Sequence, residues 1–537
     1  LPLYGIPFAI KDNIDLAGVP TTAACSTFAH TPSESATVVE LLTKAGAIPI
    51  GKANMDQFAT GLVGTRSPEP WDACKNAFDK QYISGGSSSG SAVAVALGLV
   101  SFALGTDTAG SGRVPAAVNN LVGLLPSCGG SSPHGVVPAC RTLDCVSVFS
   151  LTASDANAVL AVAGTPDDKD PYSRKTEWQN LNSRFGVLAN KPVLGVLRQS
   201  QLETFGDDEA RQLYLRALEV LSANDFELRE IDFEPFAAAA RLLYEGPWVA
   251  ERFAAVGEYL PDMLEVTASI IGAGAEQSAA EAFAGQYQLQ ELKRLADKSW
   301  RDVDVIVTPT AAQHFTIEEV NADPVALNSR LGYYTNFMNL LDCAAVAAPV
   351  GFRSSGLPFG VTFFAQAFAD LSLLSLVDAL EDKLGLRLGA TEYGKSTHAG
   401  SAAADGTITV AVCGAHLDGL PLNWQLTQRD AVLVEKTLSA PCYRFYALAG
   451  GPPFRPGLIR DETGGGCGSI EVELWKMPAA YFGSFVIGIP QPLGIGKLEL
   501  ADGRWVTSFI CEAYATHDAE DITQFGGWRA YMRSKQR

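Results

Sequence analysis

Histidine and positive charge are both scarce in this sequence. Only 6 of the 537 residues are His, and 40 Lys and Arg stand against 59 Asp and Glu, which gives a formal net charge of −19. Proteins that bind nucleic acids or anionic membranes carry basic surfaces, so this balance argues against both kinds of partner. Hydrolases usually recruit His as their base, so the shortage of His raises the question of which group would take that role here.

Long apolar runs and metal-binding spacings are also missing. The longest apolar run, residues 92–105, falls short of the roughly 20 residues that a membrane span needs, and it predicts a buried helix that leads into a strand. The ten cysteines form no CxxC pair and no Cys/His cluster of zinc spacing, so we predict neither a metal nor a cofactor. Lys11 and Asp12 interrupt the apolar start, unlike a secretory signal. We therefore expect a cytoplasmic protein with reduced thiols.

Length and composition together indicate two domains. Single hydrophobic cores rarely grow beyond roughly 250–300 residues, and this chain is much longer. Residues 394–406 are small, polar and rich in Gly, Ala and Ser, as in a linker. We predict an α/β domain over residues 1–393, a linker over 394–406 and a β-rich domain over 407–537.

The secondary-structure patterns differ on the two sides of this linker. Residues 207–218 repeat Leu and Ala at helical spacing, and residues 303–310 form a short apolar run that ends near a Pro. After the linker, residues 407–413 are rich in β-branched side chains and residues 469–475 alternate between polar and apolar. These patterns predict alternating helices and strands first and mostly strands afterwards.

Three segments of the first domain carry candidate chemistry. Residues 84–91 read Ser-Gly-Gly-Ser-Ser-Ser-Gly-Ser; a helical pattern follows, which a linker would lack, and no P-loop Lys follows. Residues 105–113 read Gly-Thr-Asp-Thr-Ala-Gly-Ser-Gly-Arg and precede a helix start, where small residues let backbone N–H groups converge on an anion. Residues 5–13 predict a strand that ends near Lys11, whose amine becomes a usable base if burial lowers its pKa.

Together these segments resemble the amidase signature family, over residues 3 to about 390. The resemblance implies a mixed central sheet covered by helices. It also implies that Ser111 is the nucleophile, Ser87 a bridging serine in a cis peptide, and Lys11 the base. Ser87 is chosen over its neighbours because it precedes Ser111 by 111 − 87 = 24 residues, the separation expected for the two serines of the family.

Further roles in the first domain follow from this resemblance. The backbone N–H groups of Thr108, Ala109 and Gly110 are implied to stabilise the oxyanion of the tetrahedral intermediate. Asp107 and Arg113 flank the nucleophile and are expected to form a supporting ion pair. A Ser-His-Asp triad is disfavoured because the three histidines of this domain lie in no triad motif: His30, His134 and His314.

Neighbouring residues look specifically like the allophanate hydrolase branch of the family. They are residues 54–67 and 135–147, and residues 414–427 look like the second domain of that branch. The resemblance implies hydrolysis of allophanate, a urea that bears a carboxylate, to ammonia and carbon dioxide. It assigns recognition of the carboxylate to Tyr244 and Arg252, whose eight-residue separation places them on one side of a helix if that helix continues past Pro247.

The second domain resembles the γ-glutamylcyclotransferase-like fold, a small β-rich domain. In this branch such a domain is thought to help the released N-carboxycarbamate lose carbon dioxide, and His416 matches its functional histidine. Glu471 and Glu473 share one strand face. They are expected to face solvent, with a place in the His416 pocket as the alternative.

The chain departs from the family pattern at two places. Family members normally carry helices before the segment 5–13, and Leu125 stands where the family usually has a Lys expected to order a loop near the active site.

The resemblance implies a homodimer and functional coupling to a biotin-dependent urea carboxylase. Two alternatives stay open: another amidase, including a component that supplies ammonia to an aminoacyl-tRNA amidotransferase, and a catalytically inactive scaffold.

Overall fold

The computed structural model describes residues 1–175, 180, 182, 185–186, 188, 191–395, 407–461 and 465–535. The chain divides into two compact units, Leu1–Thr397 and His398–Arg537. Of the predicted linker 394–406, only Gly394 and Lys395 belong to the described residues. Lys395 pairs with three carboxylates of one helix (Asp378, Glu381 and Asp382), so this residue is anchored to the first unit. The domain limits 1–393 and 407–537 stay a proposal.

The first unit is built on a ten-stranded mixed sheet, with the order β2-β1-β3-β5-β4-β9-β10-β8-β6-β7. Strands at the two ends of the sheet pair in parallel, whereas the central pairs from β3 to β8 are antiparallel. The strands are β1 Pro7–Lys11, β2 Ile48–Ala53, β3 Phe102–Asp107, β4 Val122–Leu125, β5 Cys145–Ser150, β6 Leu194–Leu197, β7 Leu228–Ile231, β8 Val305–Pro309, β9 Cys343–Phe352 and β10 Pro358–Gln366.

Helices pack around this sheet. They are α1 Thr37–Lys44, α2 Ser89–Ala96, α3 Val114–Val118, α4 Ala153–Ala163, α5 Asp208–Ala223, α6 Glu234–Glu245, α7 Trp248–Val256, α8 Glu265–Gly272, α9 Ala279–Ala296, α10 Ile317–Ala322, α11 Ala326–Gly332 and α12 Asp370–Leu384. Every residue of β3, β5 and β8 is buried. Because successive side chains of a strand point to opposite faces, both faces of the central sheet are covered.

Local sequence signals explain several of these elements. The helix predicted over 207–218 is confirmed as α5, which begins where the Asp207 side chain accepts a hydrogen bond from the backbone N–H of Ala210 (2.8 Å). The strand predicted over 303–310 is confirmed as β8. The apolar run 92–105 forms most of α2 and then enters β3, as predicted. The two Gly- and Ser-rich segments that carry the candidate chemistry therefore flank one helix–strand pair.

The second unit is mostly β, as predicted. It contains a five-stranded sheet with the order β12-β15-β11-β17-β16 and a three-stranded sheet with the order β14-β13-β18. Its elements are β11 Thr407–Val412, α13 Trp424–Thr427, β12 Val432–Leu438, β13 Tyr443–Ala447, β14 Pro456–Arg460, β15 Glu471–Pro478, α14 Ala479–Ile487, β16 Leu493–Glu499, β17 Trp505–Cys511, β18 Glu520–Asp521 and α15 Trp528–Lys535. Its own apolar core includes Val410, Phe445 and Val472.

Across the described ranges, no helix has both the length and the apolar character that crossing a membrane requires.

Candidate active site

Lys11 is the last residue of β1 and is fully buried (0% exposed). Its Nζ lies 2.7 Å from Ser87 Oγ and 2.7 Å from Thr106 Oγ1. Burial lowers the pKa of the Lys11 amine from its ordinary 10.5 to about 7, and the nearby Asp56 carboxylate opposes that effect. An amine with such a pKa is partly neutral at pH 7, so it is able to take a proton from a hydroxyl group.

Ser87 bridges Lys11 to a second serine. The Gly86–Ser87 peptide bond is cis, as the family resemblance implied. Glycine is required at position 86, because a Cβ there would lie 2.0 Å from Asp56 Oδ2. Ser87 Oγ donates a hydrogen bond to Ser111 Oγ at 3.0 Å. The Lys11, Ser87 and Ser111 side chains thus form one continuous hydrogen-bonded relay, and all three are buried.

Ser111 lies in the loop between β3 and α3, and a buried ion pair holds both ends of this loop. Asp107 Oδ2 accepts hydrogen bonds from Arg113 Nε at 2.8 Å and from the Gly112 N–H at 3.0 Å. Arg113 also donates to Asn339 Oδ1 at 3.1 Å. The predicted Asp107–Arg113 pair is therefore present, and it fixes the loop that presents the Ser111 hydroxyl.

The backbone around Ser111 supplies the candidate oxyanion donors. The N–H of Gly110, one of three predicted donors, instead donates to Asp107 Oδ1 at 2.6 Å, so the loop itself already occupies it. Within the described residues, no acceptor is found for the N–H groups of Thr108 and Ala109. Thr108 Oγ1 donates to the buried Asp144 carboxylate at 2.5 Å. The geometry thus favours Thr108 and Ala109 over Gly110.

Tyr244 and Arg252 come together in a way that differs from the prediction. They do not share one helix, because α6 ends at Glu245 and Pro247 precedes the start of α7. Proline lacks the N–H that would continue α6, and the chain restarts as a new helix. The Arg252 guanidinium nevertheless lies 5.9 Å from the centre of the Tyr244 ring.

The Arg252 guanidinium is buried with few partners. The side chain is 2% exposed, and Nη1 has only long contacts, 3.3 Å to Thr60 Oγ1 and 3.5 Å to the Ala59 carbonyl oxygen. Its Nε atom has no hydrogen-bond partner in the part of the chain that the structure describes. The positive charge of Arg252 adds to the effect of burial in lowering the pKa of Lys11, so the guanidinium lies near the relay. A buried cation with unused donors is suited to bind an anion.

His416 of the second unit lines a separate cavity of about 110 Å³, here called the His416 cavity. Its Nε2 lies 2.9 Å from Gln425 Oε1, and its ring stacks on Phe509 with a centroid distance of 5.1 Å. Burial lowers the pKa of His416, so the neutral imidazole is favoured at pH 7. The cavity also contains Arg455.

Glu471 and Glu473 do not line the His416 cavity, and Glu473 does not face solvent as expected. The Glu473 side chain is fully buried, where Oε1 accepts a hydrogen bond from Arg529 Nη2 (2.9 Å) and Oε2 from the Asp418 N–H (2.7 Å). Glu471 pairs with the same Arg529 at 3.1 Å. The arginine compensates the buried charge, so both carboxylates have a structural place in β15.

Both units of the chain match known protein families. Residues 1–374 match the amidase family. The chain belongs to the amidase family. Residues 408–533 of this amidase match the allophanate hydrolase C-terminal domain.

Some relatives match almost the whole chain, and a second group matches about 71% of it. Urea amidolyase of Saccharomyces cerevisiae is 44% identical over 99% of the chain, which spans only 30% of that relative. The solved structure of Kluyveromyces lactis allophanate hydrolase is 41% identical, with a TM-score of 0.74, and the match covers 100% of this chain and 89% of that one. In the second group, one component of the glutamyl-tRNA(Gln) amidotransferase of Synechococcus elongatus is 32% identical over 71% of this chain and 84% of its own.

Three buried residues of the amidase site were not predicted individually. Asp56 accepts hydrogen bonds from the N–H groups of Gly64 (3.0 Å) and Arg66 (2.8 Å), and its own N–H donates to the Ser87 carbonyl oxygen (3.0 Å). Arg66 donates to the Thr60 carbonyl oxygen at 3.0 Å. Thr106 is the third, through its contact with Lys11. The segment 54–67 had signalled the branch of the family, but its sequence could not show that Asp56 lies behind Ser87.

Leu125, which replaces the usual family Lys, is fully buried at the end of β4. Its register partner is Ala345 of β9, in the middle of the ten-stranded sheet. The leucine packs in the main apolar core of this amidase.

Proposed function

We propose that this amidase hydrolyses allophanate through an acyl-enzyme on Ser111, with Ser87 as the proton bridge and Lys11 as the base. The observation that carries the proposal is the buried relay, with 2.7 Å between Lys11 Nζ and Ser87 Oγ and 3.0 Å between the two serine oxygens. The 44% identity to urea amidolyase and the likeness to K. lactis allophanate hydrolase support the substrate.

The first half of the reaction forms the acyl-enzyme. Ser111 Oγ attacks the ureido carbonyl carbon while its proton passes to Ser87, and the Ser87 proton passes to Lys11. The hydroxyl hydrogens rotate freely enough to reverse the direction of these hydrogen bonds. The oxyanion forms beside the N–H groups of Thr108 and Ala109. The bond to the terminal nitrogen then breaks, and the relay returns the proton so that ammonia leaves.

The second half releases the product. Water attacks the acyl carbon and frees Ser111, which gives N-carboxycarbamate. Cleavage of one of its N–CO₂ bonds releases carbon dioxide, and the nitrogen that keeps the electron pair takes up a proton to give carbamate. Carbamate decomposes to ammonia and carbon dioxide. We assign help in this decarboxylation to the second unit, where His416 is a proton-exchanging group inside a cavity.

Arg252 is the proposed cation for the substrate carboxylate, and its removal tests the substrate class. We expect Arg252→Ala to raise KM for allophanate about 30-fold or more and to change KM for the neutral amide malonamide by less than about threefold. Steady-state ammonia release measures both. Arg241→Ala is the matched control, since Arg241 is exposed on α6 and pairs with Glu234. Equal effects on the two substrates would contradict a role in carboxylate recognition.

His416→Asn separates the two halves of the proposed reaction. We expect ammonia release from the first half to persist, while loss of N-carboxycarbamate slows about tenfold because the cavity lacks its imidazole. Carbon-13 NMR with labelled allophanate follows the intermediate and carbon dioxide together. His517→Asn is the control, because His517 is exposed and bonds only within its own turn. Identical time courses for both variants would leave His416 a structural residue.

The alternatives predict different substrates. The match to the amidotransferase component covers 71% of this chain, and the match to the allophanate hydrolase C-terminal domain at residues 408–533 favours allophanate over glutamine. Ammonia release from allophanate, malonamide, simple amides and glutamine discriminates among these activities. Preference for glutamine would favour the amidotransferase component, and no release from any of them would favour the inactive scaffold.

Partners and location extend the proposal. The chain matches only 30% of the yeast urea amidolyase, whose remaining length lies outside the match. This supports functional coupling to a biotin-dependent urea carboxylase, which supplies the carboxylated urea. A homodimer and a cytoplasmic location complete the proposal. Light scattering of the purified chain measures the oligomeric state.

A further inference from the structure

The His416 cavity contains an arginine that belongs to none of the sequence motifs described above. Arg455 follows the run Gly450-Gly451-Pro452-Pro453-Phe454, a Gly- and Pro-rich loop in which both glycines adopt positive φ angles. Arg455 lines the His416 cavity and also an adjoining cavity of about 180 Å³. The loop therefore places one guanidinium at the junction of two cavities.

The donors of Arg455 are incompletely used. Its Nε atom is buried, and among the described residues it has no hydrogen-bond partner. Leaving a charged donor buried and unpaired costs free energy, so an acceptor is expected at that position. The Arg455 charge also reaches His416, since it adds to the effect of burial on the pKa of that imidazole. The guanidinium and the imidazole thus belong to one site.

The charge of this site has one sign. Within the described residues, neither cavity is lined by an Asp or a Glu. Burial keeps His416 in its neutral form at pH 7, so the imidazole does not repel a cation or attract an anion strongly. Arg455 is the only Lys or Arg in the described lining of the two cavities. A small anion would be attracted to this site, and a cation would find no carboxylate partner.

We propose that Arg455 binds the carboxylate of a small anionic ligand inside the His416 cavity and determines the specificity of the second unit for carboxylated molecules. A planar guanidinium presents parallel N–H donors that match a carboxylate. Gln425 and Phe509 hold the His416 ring beside it. The identity of the ligand rests on the proposed function, which makes it N-carboxycarbamate, a molecule with two carboxylate groups. Binding of a stable dicarboxylate does not require that function.

Sodium malonate is the probe, and His416 is the reporter. The chain has only 6 histidines, so full-length protein labelled with carbon-13 at histidine Cε1 gives few NMR signals, and His416→Asn assigns the one of interest. We expect malonate to shift the His416 signal in the wild type. Arg455→Ala is expected to weaken this binding at least about tenfold, with Arg455→Lys between the two. Malonamide, which has the same size without charge, should bind weakly in all three proteins.

The controls separate this inference from a folding defect and from the proposed function. Arg504→Ala removes an exposed arginine of the same unit that pairs with Glu435, and it should bind malonate like the wild type. Unchanged signals of the other histidines show that Arg455→Ala is folded. No response of His416 to malonate, equal affinity in Arg455→Ala, or stronger binding of inorganic phosphate would overturn the assignment. Failure of the proposed function would appear separately, as no ammonia from allophanate in the wild type.

Discussion

Replacing Ser111 with alanine is expected to lower kcat for allophanate by about 10⁴-fold or more, because the acyl-enzyme then has no oxygen to form on. The change removes one hydroxyl group from a loop that the Asp107–Arg113 ion pair holds in place. The backbone donors at Thr108 and Ala109 are retained, so substrate binding should change little. Ammonia release under saturating allophanate measures kcat, and a thermal melt checks the fold.

The matched control for this variant is Ser91→Ala. Ser91 is also buried and lies in the same Ser- and Gly-rich segment as Ser87, but its hydroxyl donates to the Leu104 carbonyl oxygen at 2.8 Å and touches no member of the relay. We expect it to keep at least about a third of wild-type activity, since it loses one hydrogen bond to the backbone and leaves the hydrogen bonds of the relay in place. Near-wild-type turnover by Ser111→Ala would refute the acyl-enzyme scheme.

The residues of the relay were identified through the family resemblance, and that resemblance rests on segments whose local sequence is unusual. Gly86 and Ser87 stand in a Ser- and Gly-rich turn, Ser111 in a second one, and Lys11 at the end of an apolar strand. In such segments the backbone conformation itself sets where the side chain lies. Gly110, for example, adopts a φ angle of +137°, which residues with a Cβ rarely take, so the backbone calls for glycine beside the nucleophile. Local constraints of this kind are visible in a sequence.

Contacts between distant segments could not be predicted in the same way. Glu473 was expected to face solvent. Strand alternation predicts on which face of the strand a side chain lies, but it does not predict what covers that face. In the structure Arg529 covers it. Pro247 ends the helix between Tyr244 and Arg252 and could be read from the sequence. The contact between these two side chains depends on how α7 packs against α6, which the sequence does not specify. Asp56 lies behind Ser87 through bonds between segments about thirty residues apart along the chain.

The fold likewise combines elements that local sequence predicts with strand pairings that it does not predict. Apolar runs and their punctuation predicted β8 and α5 well, because hydrophobic period and capping residues are local properties. The order of the strands was not predicted beyond a mixed sheet. β4 pairs with β9 although more than two hundred residues separate them, and nothing in either strand specifies its neighbour. Pairing of this kind is decided by the packing of the whole unit.

Lys11→Met is expected to lower kcat/KM for allophanate by about 10³-fold or more and to abolish its dependence on pH near neutrality. In the wild type the neutral amine is the active form, and burial places the pKa of Lys11 at about 7. The activity should therefore rise as the pH rises, about tenfold between pH 6 and pH 8. Methionine fills a similar volume but takes no proton. The pH profile of kcat/KM, measured from ammonia release, shows both effects.

Stability and two further variants distinguish the base from a structural lysine. Burial disfavours the charged amine, so Lys11 costs the folded state free energy below about pH 10.5, and Lys11→Met should melt no lower than the wild type at pH 7. Lys11→Arg keeps the charge but has no neutral form at pH 7, so it should be as inactive as Lys11→Met. Lys52→Met, on the neighbouring strand, should keep the rise in activity between pH 6 and pH 8. If Lys11→Met retained that rise, the titrating base would be another group, and the carboxylates facing Lys11 from Asp56, Asp107 and Asp144 would be the groups to test.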